Sequence, residues 1–241
     1  MSKISTIRVC LFAISVFIYL VTTTYIHASN TIPQEVSADE KHKIFEKIRT
    51  LQKDIHSIHA SVSQEKQLAA LKKKVHVEGT VIMAKPNMLR WDVLRPDRSI
   101  TIVDGETMTV YHPDIKEAQV YVLSGNFIAR NTMSFFTSAM GGDLSEMQKK
   151  FSVAIFRNNS KIIFELVPLS KMTRRYLAAI TIHYDEATGI PQEFEITTPK
   201  GDRTVTRLMD IIINPDLKPE TFKIELPGDV WITNKQEQNS Y

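Results

Sequence analysis

The chain has 241 residues, of which 43% are apolar and 24% are charged, as in ordinary globular proteins. These proportions exclude a largely disordered chain and a protein that crosses a membrane many times. The formal net charge is +3, from 30 basic and 27 acidic residues, so charge gives no argument for nucleic-acid binding. The single cysteine excludes an internal disulfide and supports no cysteine-based metal site.

The first 28 residues have the organisation of a secretory signal peptide. A basic start precedes a mostly apolar run over residues 9–21, and Ala28 offers a small residue for cleavage. The alternative is an uncleaved anchor, with the run extended to Ile26. Cys10 lies near the beginning of the run, whereas a lipidated cysteine follows its end, so lipidation is not predicted. We expect a signal peptide over residues 1–28 and a single exported domain over residues 29–241.

A helix signal opens this domain. Ser37 and Glu40 have the spacing of a capping box. Apolar residues then recur at spacings of four and three, which predicts one amphipathic helix whose stripe packs against a sheet. The stripe consists of Ile44, Ile48, Leu51, Ile55 and Ile58.

From about residue 60 the apolar period changes to two. Short alternating runs separated by turns about every ten residues predict an antiparallel meander of ten or eleven strands. Twelve candidate runs, of which roughly ten or eleven are expected to form strands, cover residues 75–83, 89–93, 100–103, 107–112, 119–123, 151–157, 161–169, 176–184, 191–198, 204–213, 222–226 and 230–233. The interruption at residues 127–150 predicts one or two short helices.

A sheet of that many strands curls or closes. The fold class is therefore mainly β with helices. We expect one curled antiparallel sheet, or incomplete β-barrel, that encloses an apolar cavity covered by helices.

No catalytic or metal-binding pattern stands out. The sequence has neither a Gly-x-Ser-x-Gly elbow nor a His-Glu-x-x-His pair, so we expect a binding protein, not an enzyme, without cofactor or metal. A lipid hydrolase or acyltransferase would need a nucleophile and a base that converge in the cavity. The basic run Lys72-Lys73-Lys74 is interpreted as a solvated turn, with contact to anionic headgroups as the alternative.

The stretch from Gly79 to Leu123 carries a resemblance. It contains KPNMLRW around Trp91 and VDGETMTVYHPD after Ile102, and the chain ends on a segment with Asn214-Pro215 and Leu226-Pro227-Gly228-Asp229-Val230. Together with the leading helix, this order resembles the periplasmic outer-membrane lipoprotein carrier family, the LolA-like proteins, over about residues 44–232.

The resemblance implies a function. A member would be a soluble periplasmic monomer that shields the acyl chains of lipoproteins and ferries them from the inner to the outer membrane. Its implied partners are acylated lipoprotein cargo, an inner-membrane ABC-type release complex and an outer-membrane acceptor lipoprotein, with no nucleic acid. The alternative is a LolA-like carrier or sensor for another envelope lipid or glycolipid.

The resemblance also suggests site residues. Cavity lining is expected from one strand face and from one helical face, although plain core packing explains both patterns equally well. These residues are Leu89, Trp91, Val93, Met133, Phe136 and Met140. Lys85 stands where family members often have arginine, and it is the expected latch of a helical lid over residues 127–140.

Overall fold

The computed structural model describes residues 34–71, 73–125, 135, 138–140 and 144–235. All of them belong to one compact unit, Pro33–Tyr241. The predicted signal peptide lies outside the described residues and stays a prediction. Among the helices that are described, none is long and apolar enough to cross a membrane.

Thirteen strands and two α-helices have their bounds inside the described residues. In chain order they are β1 (Gln34–Glu35), α1 (Ala38–Gln52), β2 (Ser57–Leu68), β3 (Lys73–Ala84), β4 (Met88–Arg95), β5 (Ser99–Asp104), β6 (Thr107–His112), β7 (Glu117–Val122), α2 (Leu144–Lys150), β8 (Phe151–Asn158), β9 (Lys161–Pro168), β10 (Ala179–Asp185), β11 (Pro191–Thr197), β12 (Arg203–Ile213) and β13 (Trp231–Lys235).

The described strands form one sheet, in the order β1-β8-β9-β10-β11-β12-β2-β3-β4-β5-β6-β7-β13. Neighbours are antiparallel, except that the last strand runs parallel to β7. The two edge strands do not pair with each other, so the sheet is curled and unclosed. The predicted fold class is confirmed, with more strands than the ten or eleven expected.

Helix α1 lies on the inner side of this sheet. Ser37 caps it, because its hydroxyl accepts a hydrogen bond from the Glu40 amide (3.3 Å). The Phe45 ring packs edge-on against Phe164 of β9, at 5.3 Å between centroids. The Lys41 ammonium donates to the carbonyl of Val153 on β8. The helix therefore joins the sheet near one edge and fills its concavity.

The helix is shorter than its apolar stripe predicted. It ends at Gln52, so Ile55 lies in the following loop and Ile58 lies in β2. Both isoleucines are nonetheless buried, with exposures of 5% and 0%. The buried positions of the loop and of β2 continue the helical spacing of α1 by coincidence. For this reason the sequence pattern did not reveal where β2 begins.

One predicted strand is absent from the described residues. The run at 222–226 is instead preceded by a 3₁₀ turn over Pro219–Phe222. Phe222 is buried there, where the turn packs against β4 and β5. Arg90 donates to the carbonyl of Thr221 (3.3 Å) and fixes the turn on β4. The C-terminal segment thus covers the outer side of β4 and β5.

The inner side carries the core. Alternate residues of the strands point to it, as the period of two requires. Its fully buried members include Ile155, Ile162, Phe164, Leu166, Ile182, Tyr184 and Ile58. Most of the fully buried side chains come from β8 to β10 and β2, where α1 covers the sheet.

Candidate functional site

The inner side of the sheet is not covered evenly. On β4 to β7, the inward side chains are mostly half-buried, although Leu89 and Val103 at one end are fully buried. We call the half-buried part the open face. It consists of Trp91, Val93, Thr101, Met108, Val110 and Tyr121. This apolar surface is the part of the described structure that is best placed to hold a ligand.

The strand register places the three predicted wall residues of β4 together. Leu89 pairs with Met83 and Val103, whose positions alternate with those that point outward. Burial then decreases along the strand from Leu89, which is 6% exposed, to the half-buried Trp91 and Val93. Leu89 belongs to the core cluster and Trp91 packs against it. That they line a ligand cavity stays a prediction.

Among the described residues, three buried polar atoms on the inner side have no hydrogen-bond partner, and one of them, the amide oxygen of Gln52, lies under α1. The other two are the indole Nε1 of Trp91 and the amide oxygen of Gln64 on β2. The Gln64 nitrogen donates to the Thr206 hydroxyl (2.8 Å), so only half of its amide is satisfied. An unpaired buried polar group costs about 1–3 kcal/mol. A ligand with both polar and apolar parts would recover that cost.

The predicted helical face is described only in part. Met133 and Phe136 lie outside the described residues. Met140 is buried in the core, with 6% exposure. Its neighbour Ala139 is fixed, because its carbonyl accepts from the Gln52 amide and from the Tyr184 hydroxyl, both at 3.1 Å.

Phe135 reaches the inner side as well. Its ring lies 6.2 Å from that of Phe151 on β8 and 6.4 Å from that of Phe194 on β11, edge-on to both. Together with Ala139 it shows where the segment before α2 meets the sheet. The described contacts of Phe135 and Ala139 fall on β8, β10 and β11 and on α1, on the covered side.

Lys85 begins the turn between β3 and β4. Its amide donates to the carbonyl of His56 (2.9 Å), which holds the turn beside the end of α1. Burial lowers the pKa of its ammonium, because desolvation disfavours the charged form. Across the described part of the chain, no hydrogen bond or ion pair compensates that ammonium. It is a cation still available to an acceptor.

Sequence reasoning missed four of the six residues of the open face, including Thr101 on β5. Met108, Val110 and Tyr121 lay in predicted strands but were not assigned to the site. The Asp104-Gly105 hairpin was the available signal, since it sets Met108 opposite Val103 and thereby fixes which residues point inward. Gln64 was missed because a polar residue in an unassigned strand carries no periodic signal.

With this geometry in place, comparison with known proteins becomes informative. The family model described as "Outer membrane lipoprotein carrier protein LolA" matches residues 53–225. That span runs from the end of α1 to beyond the outer 3₁₀ turn and includes the whole open face. The chain belongs to the LolA family.

Individual LolA relatives are distant. The outer-membrane lipoprotein carrier protein of Chromohalobacter salexigens is 23% identical over 76% of this chain and 82% of its own length. The carrier of Yersinia enterocolitica is 26% identical over 76% of this chain and 84% of its own. A crystal structure of an uncharacterised conserved protein from Thermus thermophilus covers 81% of this chain and 99% of its own, with a TM-score of 0.51 and 12% identity. The last similarity concerns the fold alone.

Proposed function

We propose that the chain is a periplasmic carrier that shields the acyl chains of lipoproteins and ferries them from the inner to the outer membrane. Membership of the LolA family supports the class of function. The observation that carries the proposal is the open face, a half-buried apolar surface next to a fully buried core. Its ligand is expected to complete the burial that α1 provides on the other half of the sheet.

The energetics suit a carrier. Each acyl methylene removed from water contributes about 0.8 kcal/mol, so two or three chains favour the protein over water by tens of kcal/mol. A bilayer offers about the same free energy. Net affinity is therefore modest, and the direction of transfer comes from the proposed partners: energy input at an inner-membrane ABC-type complex and a better site on an outer-membrane acceptor lipoprotein.

The unpaired polar atoms of Trp91 and Gln64 favour a ligand with a polar junction. Acyl chains of a lipidated protein end in esters and an amide, whose carbonyl oxygens accept hydrogen bonds. The indole N–H of Trp91 lacks an acceptor and is suited to such an oxygen. The open face would hold the chains while Trp91 holds their junction.

Lys85 is the proposed latch. A partly buried ammonium without a described partner is suited to donate to backbone carbonyls of the segment over residues 127–140. Such charge-assisted bonds contribute about 1.5–3 kcal/mol, which biases a closed and an open state by about tenfold or more without fixing either. Met133 and Phe136 would then contact the ligand from that segment.

Capture of a lipidated protein tests the function directly. The chain is co-expressed with a tagged lipoprotein and, as the matched control, with the same lipoprotein whose acylated cysteine is changed to serine. We expect capture of the acylated form alone. Equal capture of both forms, or of neither, contradicts a carrier of acyl chains. Mass spectrometry of lipid that co-purifies without cargo reports the alternative, a carrier or sensor for another envelope lipid or glycolipid.

Tryptophan fluorescence tests the site. The chain has two tryptophans, Trp91 on the open face and Trp231, which is 73% exposed on β13. A diacylated lipid should shift the emission of the parent and of Trp231→Phe. The shift should disappear in Trp91→Phe. If Trp91→Phe retains the whole shift, the ligand does not contact the open face.

A further inference from the structure

The loop between β9 and β10, residues 169–178, exposes apolar and basic side chains together. Met172 is 61% exposed, Leu169 49% and Tyr176 40%. Lys171 and Arg175 are exposed beside them. The loop contains no acidic residue. Apolar side chains at a solvent-facing tip are costly unless something covers them.

The loop is well formed. The backbone amide of Arg174 donates to the carbonyl of Ser170 (3.1 Å), and that of Leu177 donates to Thr173 (3.0 Å). The Arg174 guanidinium also donates to the carbonyl of Pro168 at 2.6 Å. These bonds fix the backbone, so the apolar side chains are held outward and do not fold back onto the sheet.

The turns on either side continue the same surface. The amide of Ala178 donates to the carbonyl of Thr197 (2.8 Å), which ties the loop to the turn between β11 and β12. Asp202 of that turn accepts from the amide of Ala69 (2.9 Å), which ties it to the turn between β2 and β3. Three adjacent turns therefore share one end of the sheet.

We call this end the basic rim. Its exposed basic side chains are Lys66, Lys73, Lys171, Arg174, Arg175 and Lys200. The acidic Glu65 and Glu195 next to it are already paired, with Lys74 (3.0 Å) and Arg203 (2.5 Å). Asp202 accepts the backbone bond described above. The rim therefore has a net positive charge, although the whole chain is nearly neutral.

We propose that the basic rim docks on the surface of a bilayer that contains anionic phospholipid. Charge complementarity carries the assignment, because a cluster of basic side chains around exposed Met, Leu and Tyr side chains matches the chemistry of an anionic interface. Each basic side chain raises the partition coefficient by about fivefold near such a surface. The inference rests on surface residues and holds whatever the open face carries.

Vesicle binding by the full chain provides the test. Vesicles of phosphatidylglycerol with phosphatidylcholine are compared with vesicles of phosphatidylcholine alone. The double reversal Lys171→Glu, Arg175→Glu should lower the partition coefficient at least about tenfold. Met172→Ser should lower it by less. Binding of the parent should weaken as salt shortens the screening length from about 10 Å at ~0.1 M to about 3 Å at ~1 M.

Matched controls lie elsewhere on the surface. Lys43→Glu with Lys53→Glu reverses two exposed charges of α1 and its C-cap. Ile115→Ser removes a side chain that is 63% exposed at a different turn. Both controls should bind as the parent does. All variants retain residues 1–28, so any contribution of that apolar segment is common to them.

Hydrogen exchange supplies a second readout that does not depend on a variant. Amides of residues 169–178 should become more protected on anionic vesicles and should be unchanged on neutral ones. The proposal is overturned if the loop reversal binds like the parent, if neutral vesicles bind equally well, or if those amides do not change. If the parent chain does not bind vesicles but binds an acidic protein, the basic rim is a site for a protein partner. That result would also overturn the membrane assignment.

Discussion

At Gly79 the chain leaves no room for a side chain. A Cβ there would lie 2.0 Å from the backbone oxygen of Asp92 on the neighbouring strand. The pairing of β3 with β4 shifts its register between Glu78 and Gly79, which brings the two backbones together. The bulge positions Trp91 and Val93 on the open face, so this glycine serves the site as well as the sheet.

Gly79→Ala is expected to lower the free energy of unfolding by at least about 3 kcal/mol, because backbone atoms have to move. Urea unfolding followed by circular dichroism measures the change. Gly228→Ala is the matched control, since a Cβ at Gly228 would meet nothing within 4 Å. An equal effect of both substitutions would contradict the packing argument.

Lys85 predicts an unusual pH dependence. Burial lowers its pKa below the ordinary value of 10.5, so the unfolded chain binds more protons than the folded one between the two pKa values. The free energy of unfolding should therefore rise with pH through that window. Below the folded-state pKa, the desolvation cost is present in full. Lys85→Met should leave the protein as stable as the parent, or more stable, at neutral pH.

Lys116→Met is the control for Lys85→Met, because the pKa of Lys116 is shifted in the opposite direction. The carboxylate of Asp229 raises the pKa of Lys116, so this pair stabilises the fold below the ordinary lysine value and is lost as pH rises through the raised one. Urea midpoints measured from neutral to alkaline pH distinguish the two cases. The Lys85 contribution to the free energy of unfolding rises with pH, and the Lys116 contribution falls. A loss of stability in Lys85→Met at neutral pH would mean that its ammonium already has a strong partner.

Strand β4 separates the two sides of the sheet at neighbouring positions. Val93 points inward and is half-buried, whereas Leu94 is 56% exposed. Val93→Glu should weaken binding of a long-chain fluorescent lipid by about tenfold or more, because a carboxylate in an apolar wall is costly to desolvate. Leu94→Glu should bind like the parent. Equal binding by both variants, each shown to be folded, would remove β4 from the ligand site.

Gln52 of helix α1 holds the backbone at Ala139 and at Gly189. Its amide nitrogen donates to the carbonyls of Ala139 (3.1 Å) and Gly189 (2.6 Å), and the residue is 1% exposed. Gln52→Ala leaves the Gly189 carbonyl without this donor and should cost about 1–3 kcal/mol. Tyr184→Phe removes the other donor to Ala139 and should cost about 1–2 kcal/mol.

Hydrogen exchange at residues 138–140 checks this anchoring. Both variants should accelerate exchange there more than in β3. Acceleration that is uniform over the whole chain would instead indicate a general loss of stability, with no specific anchor.

The elements show what local sequence can predict. Alternation and turn residues predicted most strands from β3 onward, and the capping box at Ser37 predicted the beginning of α1. The end of α1 and the strand β2 were not predictable, because Ile55 and Ile58 continue the helical spacing although they belong to the loop and the sheet. Only tertiary packing distinguishes these two readings of the same spacing.

The candidate site was predictable to a lesser degree. Alternation places Leu89, Trp91 and Val93 on one side of a strand, but it does not say which part of that side α1 covers. The difference between the buried Leu89 and the half-buried Val93 arises from strands and a helix distant in sequence. Pairing registers, which depend on the bulge at Gly79, are needed to add Met108 and Tyr121.

The whole molecule depends on one long-range pairing. β2 lies in the middle of the sheet, between its sequence neighbour β3 and the late strand β12. Gln64 and Thr206, which are bonded across that junction, are 142 positions apart. The strands before and after the segment at 126–143 otherwise pair among themselves, apart from the edge strands.

A chain that ends before Arg203 should therefore not attain the native fold. It retains the hairpins on both sides but lacks the strand that joins them. Limited proteolysis should digest it quickly, whereas a chain that ends after Lys235 should resist. Resistance of the shorter chain would show that α1 alone can join the two halves.

This topology has a consequence for timing. A chain that emerges amino terminus first cannot complete the centre of its sheet until β12 has followed, and non-local pairing of this kind is slow. Throughout that interval the halves remain separate and the core under α1 is incomplete. Under the export predicted from residues 1–28, this delay would be an advantage, since a chain that stays unfolded until its last strands appear can pass through a translocation channel and then fold on the far side. The position of β12 beside β2 thus makes completion of the fold a late event in the life of the chain.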